Sequence, residues 1–454
     1  MERTPSENDM KVRIDSRQIL SIALPISISI LIPQLNMLVN NIFLGHLSQQ
    51  AMGDAGVTGI YYMIFAVAGY GMNSALQSVF SGYAGSGETK FFNVVLAQGI
   101  RICFQLAVFF ILFTLFLGPG IFKMIANPQA YSSEMEFIKI RIWGLPFLYL
   151  FQMGNAFLIS TLNSRLLLIG FLFQTLSNIL LDYLLIFGHA GFPQLGFNGA
   201  AYASVISECI GMTAVMIVLF MFGFKRKFKL FSNFSYHQVI HQKIKKVATP
   251  LVLQYILSLA TWLFFFILIE SHGATAKAIS NSMRNVIGLA GIFIWAFAGT
   301  CNTMVANLIG QEQYNNVIPV IYKIMWWTLG LCIAMVSCLN IFPEAFFNLF
   351  GQGEMFNKEG LPVLRIVSLG MLFMSIANVW LNALTGTGQT KVNLLIEIIA
   401  IMMYMLYTWY FTKLHYTSLE MAWSNEFIYW VVIFLSSFFY IRSKKWMKNI
   451  SGLE

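Results

Sequence analysis

One apolar stretch, residues 165–188, carries two side chains whose types and spacing could bind a cation. It reads RLLLIGFLFQTLSNILLDYLLIFG and is long enough to cross a bilayer as a helix, since a crossing takes roughly 20 residues. Asn178 precedes Asp182 by one helical turn, so the amide and the carboxylate share a face of this helix. Together they offer oxygen ligands to Na⁺, or a proton acceptor with a neutral neighbour that orients it.

A simpler interpretation of Asp182 is that its carboxylate reaches water. The residue lies close to the end of the stretch, where a side chain can extend to the lipid headgroups. An ionisable group at the centre of a membrane helix costs about 2.5–3.5 kcal/mol, so it usually faces the protein interior or a water-filled cavity. The stretch by itself leaves both interpretations open.

The composition is that of a polytopic helical membrane protein. The chain is 57% hydrophobic and 10% charged, and its mean hydropathy is +0.69. Its net charge of +9 is not concentrated in a basic arm of the kind that binds nucleic acid. The five cysteines lie in apolar stretches without a CxxC motif, so they predict neither disulfides nor a metal centre.

Apolar stretches predict twelve membrane-spanning helices. They lie at 18–44, 55–80, 92–117, 137–161, 165–188, 197–222, 249–271, 276–308, 317–342, 361–385, 391–412 and 419–441. An even number of spans places both termini on one side of the membrane. Most Lys and Arg residues fall on that side, so the positive-inside rule predicts that both termini are cytoplasmic.

The two halves of the chain look like repeats of six spans each. Pro25 in ALPISISILIPQ corresponds to Pro250 in ATPLVLQYIL, and NAFLIS from Asn155 corresponds to NVWLNA from Asn378. The predicted organisation is a cytoplasmic segment at 1–17, a first lobe at 18–222, a basic cytoplasmic linker at 223–248, a second lobe at 249–441 and a cytoplasmic tail at 442–454. We expect an all-α fold of two six-helix lobes related by a pseudo-two-fold axis along the membrane normal, a design that transporters use for alternating access.

Several motifs resemble those of multidrug and toxic compound extrusion (MATE) transporters. The most specific is GFPQLGFNGAAYASVIS after the fifth span, and LVNNIFLG in the first span and NALTGTGQTK after the tenth are also similar to the family. The resemblance covers nearly the whole chain. It implies an antiporter, not an enzyme, that exports hydrophobic and often cationic organic compounds and is driven by H⁺ or Na⁺ without another cofactor. We expect a monomer in the cell (inner) membrane whose partners are the small organic substrate, the coupling cation and the lipid bilayer, with no nucleic acid.

The resemblance also implies a cation site in the first lobe. Relatives build it from an Asp in the first span, an Asn and an Asp in the fifth, and a Thr in the sixth. The corresponding residues here are Asn40, Asn178, Asp182 and Ser204. Because Asn40 replaces the first acid, Asp182 is left as a lone carboxylate that balances one Na⁺ or one proton. A shift of one residue in the alignment would place Asn41, instead of Asn40, at the position of that acid.

The second lobe is expected to lack such a site. Many relatives carry a Glu in the seventh span where this chain has Ser258, and the tenth span offers only the amides of Asn378 and Asn382. The remaining acid of interest, Glu208, lies one turn after Ser204. It could be a second titrating group that faces the cleft, a carboxyl kept protonated by burial, or the partner of a cation such as Arg101.

Other residues are candidates for motion and for substrate contact. Pro25 or Pro33 is expected to bend the first helix, because proline removes a backbone hydrogen bond and clashes with the preceding turn. Polarisable and aromatic side chains suit apolar cations, and the candidates for lining the cleft are Met37, Tyr62, Met153 and Trp262.

Two other classes of protein are less consistent with the residues. A flippase of lipid-linked precursors, from the same superfamily, is the alternative, but it needs cations in the cleft to bind a diphosphate, and only Arg101 and Arg284 are candidates. A membrane-embedded enzyme needs clustered His, Asp or Glu, whereas only His237 and His241 share helical spacing, without an acidic partner nearby. The residues therefore favour a transporter.

Overall fold

The structure is a computed structural model that describes residues 10–125, 128–348, 353–416 and 418–450. Regular structure in these residues is helical, without a strand. Twelve of the described helices are long and apolar enough to cross a membrane: α1, Ser16–Leu47; α2, Gln49–Ser86; α3, Phe91–Met124; α4, Tyr131–Ser160; α5, Ser164–Phe187; α6, Phe197–Met221; α7, Gln238–Ile269; α8, Ala274–Gly310; α9, Tyr314–Ile341; α10, Phe356–Gly386; α11, Thr390–Leu414; and α12, Leu419–Arg442. The predicted all-α class is confirmed, and each predicted span falls on one of these helices.

Most helices are longer than the apolar stretches that predicted them, and α2 shows how capping residues fix the ends of a helix. Before α2, the side chain of Ser48 accepts a hydrogen bond from the backbone N–H of Ala51 at 3.0 Å. After α2, Gly87 adopts the left-handed conformation with φ of 75°, which ends the helix. The apolar pattern therefore indicates the part of α2 that is suited to lipid, and its caps indicate where the helix begins and ends.

The helices group into two compact units. The first unit contains Ile28–Val252, and the second contains Val12–Ser27 together with the chain from Leu253 onward. The beginning of α1 thus belongs with the second half of the sequence, which the repeat pattern did not predict. Residues 1–9 and 451–454 of the predicted terminal segments lie outside the described residues.

Hydrogen bonds explain why the N-terminal segment belongs to the second unit. The backbone N–H of Val12 donates to Oδ1 of Asn307 at 3.0 Å, and Nζ of Lys323 donates to the carbonyl of Ile14 at 3.2 Å. The boundary between the units falls within α1, shortly after Pro25. Because α1 is helical through both Pro25 and Pro33, the bend expected at one of them stays a prediction.

Small residues let α5 and α6 pack closely in the first unit. A Cβ atom added to Gly199 would lie 2.6 Å from the carbonyl oxygen of Leu185, so only glycine allows this approach. Ala200, Ala201 and Ala203 continue the buried face of α6. This packing holds the polar side chains of α5 and α6 within the first unit.

Candidate functional site

The carboxyl group of Asp182 is buried between α1 and α5. Asp182 is 0% exposed, and Nδ2 of Asn40 donates a hydrogen bond to its Oδ2 at 3.1 Å. One turn earlier on both helices, Nδ2 of Asn36 donates to Oδ1 of Asn178 at 2.6 Å. Two polar pairs therefore connect α1 to α5 inside the first unit.

The burial of Asp182 distinguishes the two interpretations that the sequence left open. A side chain that is 0% exposed is turned into the protein and does not reach headgroup water. The amide that meets it belongs to Asn40 and not to the neighbouring Asn41, which agrees with the alignment of Asn40 with the missing acid. The pairing brings together three of the four residues predicted to form the cation site.

Three polar atoms at this site have no hydrogen-bond partner among the described residues. They are Oδ1 of Asp182, Oδ1 of Asn36 and Nδ2 of Asn178. A buried polar atom without a partner costs about 1–3 kcal/mol, so such atoms need an explanation. Two of the three are oxygens, and one of these carries part of a negative charge, which is the arrangement that a proton or a monovalent cation would satisfy.

Ser204, the fourth predicted residue, is only half-buried on α6. Its carbonyl oxygen accepts a hydrogen bond from Oγ of Ser207 at 2.9 Å. In the part of the chain that the structure describes, the Ser204 hydroxyl makes no hydrogen bond with Asp182. Its role in cation binding stays a prediction.

Glu208 forms a buried ion pair with Arg141 of α4. Its two carboxylate oxygens accept hydrogen bonds from Nη2 and Nη1 of Arg141 at 2.6 and 2.9 Å. The hydroxyl of Tyr62 donates to the same carboxylate at 3.2 Å, and the guanidinium of Arg141 lies 3.7 Å from the centre of the Tyr62 ring. The bidentate geometry and the stacked ring make this a pair in which the charge of Glu208 is neutralised.

Sequence reasoning missed Arg141 as the partner of Glu208. Arg101, which was named as a candidate, instead donates to the carbonyl of Phe234 and to the side chain of Gln98. The usable signal was the position of Arg141 inside the predicted span 137–161, since a cation in a membrane helix requires a buried counter-charge.

Two residues that were predicted to line a cleft are buried within the first unit. Met153 is 0% exposed, and the ring of Tyr62 lies beneath Arg141 with its hydroxyl on Glu208. Neither side chain offers a free surface in this conformation, and the role of both in lining a cleft stays a prediction. Met37 is 55% exposed, and Trp262 is half-buried with its ring 4.7 Å from that of Phe266; for both, a role in substrate contact stays a prediction.

Gly144 is the residue that makes room for the ion pair. A Cβ atom added to it would lie 2.0 Å from Oε2 of Glu208 and 2.5 Å from Nη1 of Arg141. We expect Gly144→Ala to lower the free energy of unfolding by about 1–3 kcal/mol, the usual cost of overpacking. Thermal unfolding of the purified protein measures this, with Gly59→Ala as the control because a Cβ there meets nothing within 4 Å. Equal midpoints for the two variants would contradict the prediction.

Buried carboxyl groups are also present in the second unit, where the sequence predicts no cation site. Glu397 of α11 accepts a hydrogen bond from Oγ of Ser258 at 2.5 Å, so an acid from another helix meets the serine that stands where relatives carry Glu. Glu426 of α12 accepts from Nε1 of Trp430 at 3.0 Å. The absence of an acid at Ser258 therefore does not leave this region without a carboxyl group.

Comparison with known proteins agrees with this arrangement of helices. The sequence model of the MatE family matches residues 25–184 and 248–410, which together make up more than half of the chain. The chain belongs to the MatE family. The resemblance to multidrug and toxic compound extrusion transporters is thereby confirmed.

MatE relatives are similar to the chain over most of its length. The probable multidrug resistance protein NorM of Thermotoga maritima is 24% identical over 404 residues, which cover 87% of this chain and 85% of the relative. The multidrug resistance protein NorM of Aliivibrio fischeri is 20% identical over 318 residues, covering 70% of this chain and 69% of the relative.

Solved structures of MATE proteins share the fold. An outward-facing multidrug resistance MATE family transporter of the MOP superfamily superposes with a TM-score of 0.87 at 16% identity, covering 98% of this chain and 100% of that chain. A MATE protein in the straight conformation gives a TM-score of 0.86 at 16% identity, covering 100% of this chain and 99% of that chain. These likenesses confirm the fold of twelve membrane helices.

Proposed function

We propose that this MatE protein is an antiporter that exports hydrophobic, often cationic organic compounds in exchange for H⁺ or Na⁺. The observation that carries the proposal is the fully buried Asp182 carboxyl between α1 and α5, with its Oδ1 unpartnered among the described residues. The names of the similar relatives, which include multidrug resistance proteins, support the class of substrate.

The cation drives transport only if it binds one conformation more tightly than the other. In the proposed cycle the cation enters from outside and neutralises Asp182, and the substrate leaves on that side. Because Asn40 is neutral, a single positive charge is enough to balance the site. The proposal therefore includes exchange of one cation at this site for each substrate molecule.

The position of Asn40 on α1 offers a way for the bound cation to change the conformation. The part of α1 that carries Asn36 and Asn40 belongs to the first unit, and the part up to Ser27 belongs to the second. A change in the charge of Asp182 alters the hydrogen bond that holds α1 to α5. We propose that α1 responds by bending at Pro25 or Pro33.

A flippase is less well supported, because the arginines do not form a cluster of free positive charges. The charge of Arg141 is neutralised by Glu208, and Arg101 is bonded to the carbonyl of Phe234. Arg284 is exposed, with its guanidinium 5.9 Å from the centre of the Phe266 ring. A diphosphate would need several such cations gathered around one position, so the antiporter is the better-supported function.

Transport in inverted membrane vesicles tests the proposed function. A fluorescent cationic dye is added outside, and an outward proton gradient or an outward Na⁺ gradient is imposed separately. We expect one of the gradients to drive accumulation of the dye in vesicles that contain the protein and not in vesicles without it. Translocation of a lipid-linked diphosphate, with no dye movement under either gradient, would favour the flippase instead.

The setting of the protein in the cell is part of the same proposal. We propose a monomer in the cell membrane with both termini in the cytoplasm, as the distribution of Lys and Arg predicts. Labelling of single cysteines introduced into the linker at 223–248, from intact cells and from inverted vesicles, checks the orientation. Labelling from intact cells would contradict it.

A further inference from the structure

A second buried carboxyl site lies between α7, α11 and α12, entirely within the second unit. Glu397 of α11 is 1% exposed. Its Oε1 accepts hydrogen bonds from Oγ of Ser258, at 2.5 Å, and from the hydroxyl of Tyr429. Its Oε2 has one longer contact, 3.4 Å to Nε2 of Gln254. The two oxygens of this carboxyl group are therefore unequally satisfied.

The charge of Glu397 has no counter-charge in the described part of the chain. The donors from α7 and α12 are a hydroxyl, an amide and a phenol, and none of them is a cation. Further titratable groups on the same two helices are Tyr404 of α11 and Glu426 of α12, whose hydroxyl and carboxyl are 3.4 Å apart. The Tyr404 ring packs against the Tyr429 ring at 5.7 Å. No cation among the described residues pairs with Glu397, so an ionised Glu397 would be buried without a compensating charge.

Gln254 supplies an acceptor that the ionised carboxylate does not use. The residue is only 7% exposed, and its Oε1 has no hydrogen-bond partner among the described residues. Rotation of the amide by half a turn exchanges Oε1 with Nε2, which places an acceptor opposite Oε2 of Glu397. A protonated carboxyl group could then donate to Gln254, and the unpartnered oxygen would be satisfied.

Ser258 can also adapt to both states of the carboxyl group. Its hydroxyl has one hydrogen but two acceptors within reach, Oε1 of Glu397 at 2.5 Å and the backbone carbonyl of Gln254 at 2.9 Å. With Glu397 ionised, the hydroxyl donates to the carboxylate. With Glu397 protonated, it can turn to the carbonyl and keep a full hydrogen bond.

We propose that Glu397 is a reversible proton-binding site of the second unit, with the proton carried on Oε2 and accepted by Oε1 of Gln254. Binding forms one O–H bond with a proton taken from water, and release returns that proton; no other covalent bond changes. The role of the site in transport rests on the proposed antiport, in which Glu397 would bind a proton in addition to the cation at Asp182. The protonation itself does not depend on it.

Infrared difference spectroscopy of the purified protein between alkaline and acidic pH tests the protonation directly. We expect acidification to produce carboxylic acid carbonyl bands reversibly, with one band of a buried carboxyl that is lost in Glu397→Gln but retained in Asp182→Asn and in Glu359→Gln, whose carboxyl is exposed in the same unit. Gln254→Met keeps Glu397 and removes only its acceptor, so we expect the band to shift. The Gln254→Met variant also tests whether Glu397 takes up a proton if Glu397→Gln does not fold. A wild-type spectrum without this band, or with a band that does not change with pH, would overturn the proposal.

Dye accumulation at zero membrane potential then tests the role in transport. Each proton exchanged multiplies the limiting concentration ratio about tenfold per pH unit of gradient, so Glu397→Gln is expected to lower that ratio about tenfold for a gradient of one unit. An unchanged ratio would overturn the transport role. If the wild type moves no dye under any gradient, the proposed antiport fails, while the infrared result still decides whether Glu397 binds a proton.

Discussion

Replacing Glu208 by Gln is expected to lower the free energy of unfolding by about 3–5 kcal/mol, the usual cost of removing one partner of a buried ion pair. In the wild type, two nitrogens of Arg141 donate to Glu208 at 2.6 and 2.9 Å. The substitution keeps the size of the side chain but leaves the guanidinium of Arg141 buried without a counter-charge. Arginine cannot release its proton at accessible pH, so this charge persists.

The opposite substitution should cost less. In Arg141→Met the carboxyl group of Glu208 is left alone, but it can take up a proton and become neutral. In the double variant Arg141→Met with Glu208→Leu no charge is buried, and we expect much of the lost stability to return. We therefore expect the thermal midpoint to be lowest for Glu208→Gln, higher for Arg141→Met and highest for the double variant.

Thermal unfolding of the detergent-solubilised protein measures these effects. Glu88→Gln is the matched control, because Glu88 is an exposed carboxylate of the same unit. If Glu208→Gln unfolds at the temperature of this control, the ion pair does not stabilise the first unit. If Arg141→Met is less stable than Glu208→Gln, then a lone buried carboxyl group is not relieved by taking up a proton, and the explanation is wrong.

Asp182→Asn is expected to reduce gradient-driven export by roughly 100-fold, near the upper end of coupling energies between two binding sites. The amide cannot carry a negative charge, so neither a proton nor Na⁺ is attracted to it. Its oxygen can still accept the hydrogen bond from Nδ2 of Asn40, now 3.1 Å long, so the contact between α1 and α5 remains. We therefore expect a loss of coupling without a loss of folding.

Proteoliposomes with an imposed gradient measure this effect as an initial rate of dye transport. Asn41→Ala is the matched control, because Asn41 is the neighbour of Asn40 on α1 and does not hydrogen-bond Asp182 in the described structure. Rates for Asp182→Asn within a few fold of this control would show that the carboxyl group is structural. The thermal midpoint of each variant separates a failure to couple from a failure to fold.

The sequence was sufficient for the helices and for part of the candidate site. Long apolar stretches predicted all twelve spans, because a membrane helix must be apolar over the thickness of the bilayer. Asn178 and Asp182 stood out as candidates because a polar residue in such a stretch is costly, whereas Asn40 was implied by the resemblance to the MATE family. The structure shows in addition that Asn36 pairs with Asn178, one helical turn before the pair of Asn40 and Asp182.

Contacts between distant helices could not be predicted in the same way. The helical period shows which residues share a face, but not which helix covers that face, so the pairing of Glu208 with Arg141 and of Glu397 with Ser258 required the structure. The contacts of Tyr62 could not be predicted for the same reason. Its aromatic ring suits an organic cation, and the cation that it meets is Arg141 of its own unit.

Competition between substrate and cation in the purified protein tests the central claim, that Asp182 is the coupling group. A saturating cationic dye is added to weakly buffered protein, and the protons released, or the radioactive Na⁺ displaced, are counted for the wild type, Asp182→Asn and Asn41→Ala. We predict that Asp182→Asn releases one cation fewer than the other two proteins. Equal release from all three would contradict the assignment of Asp182 as the coupling site.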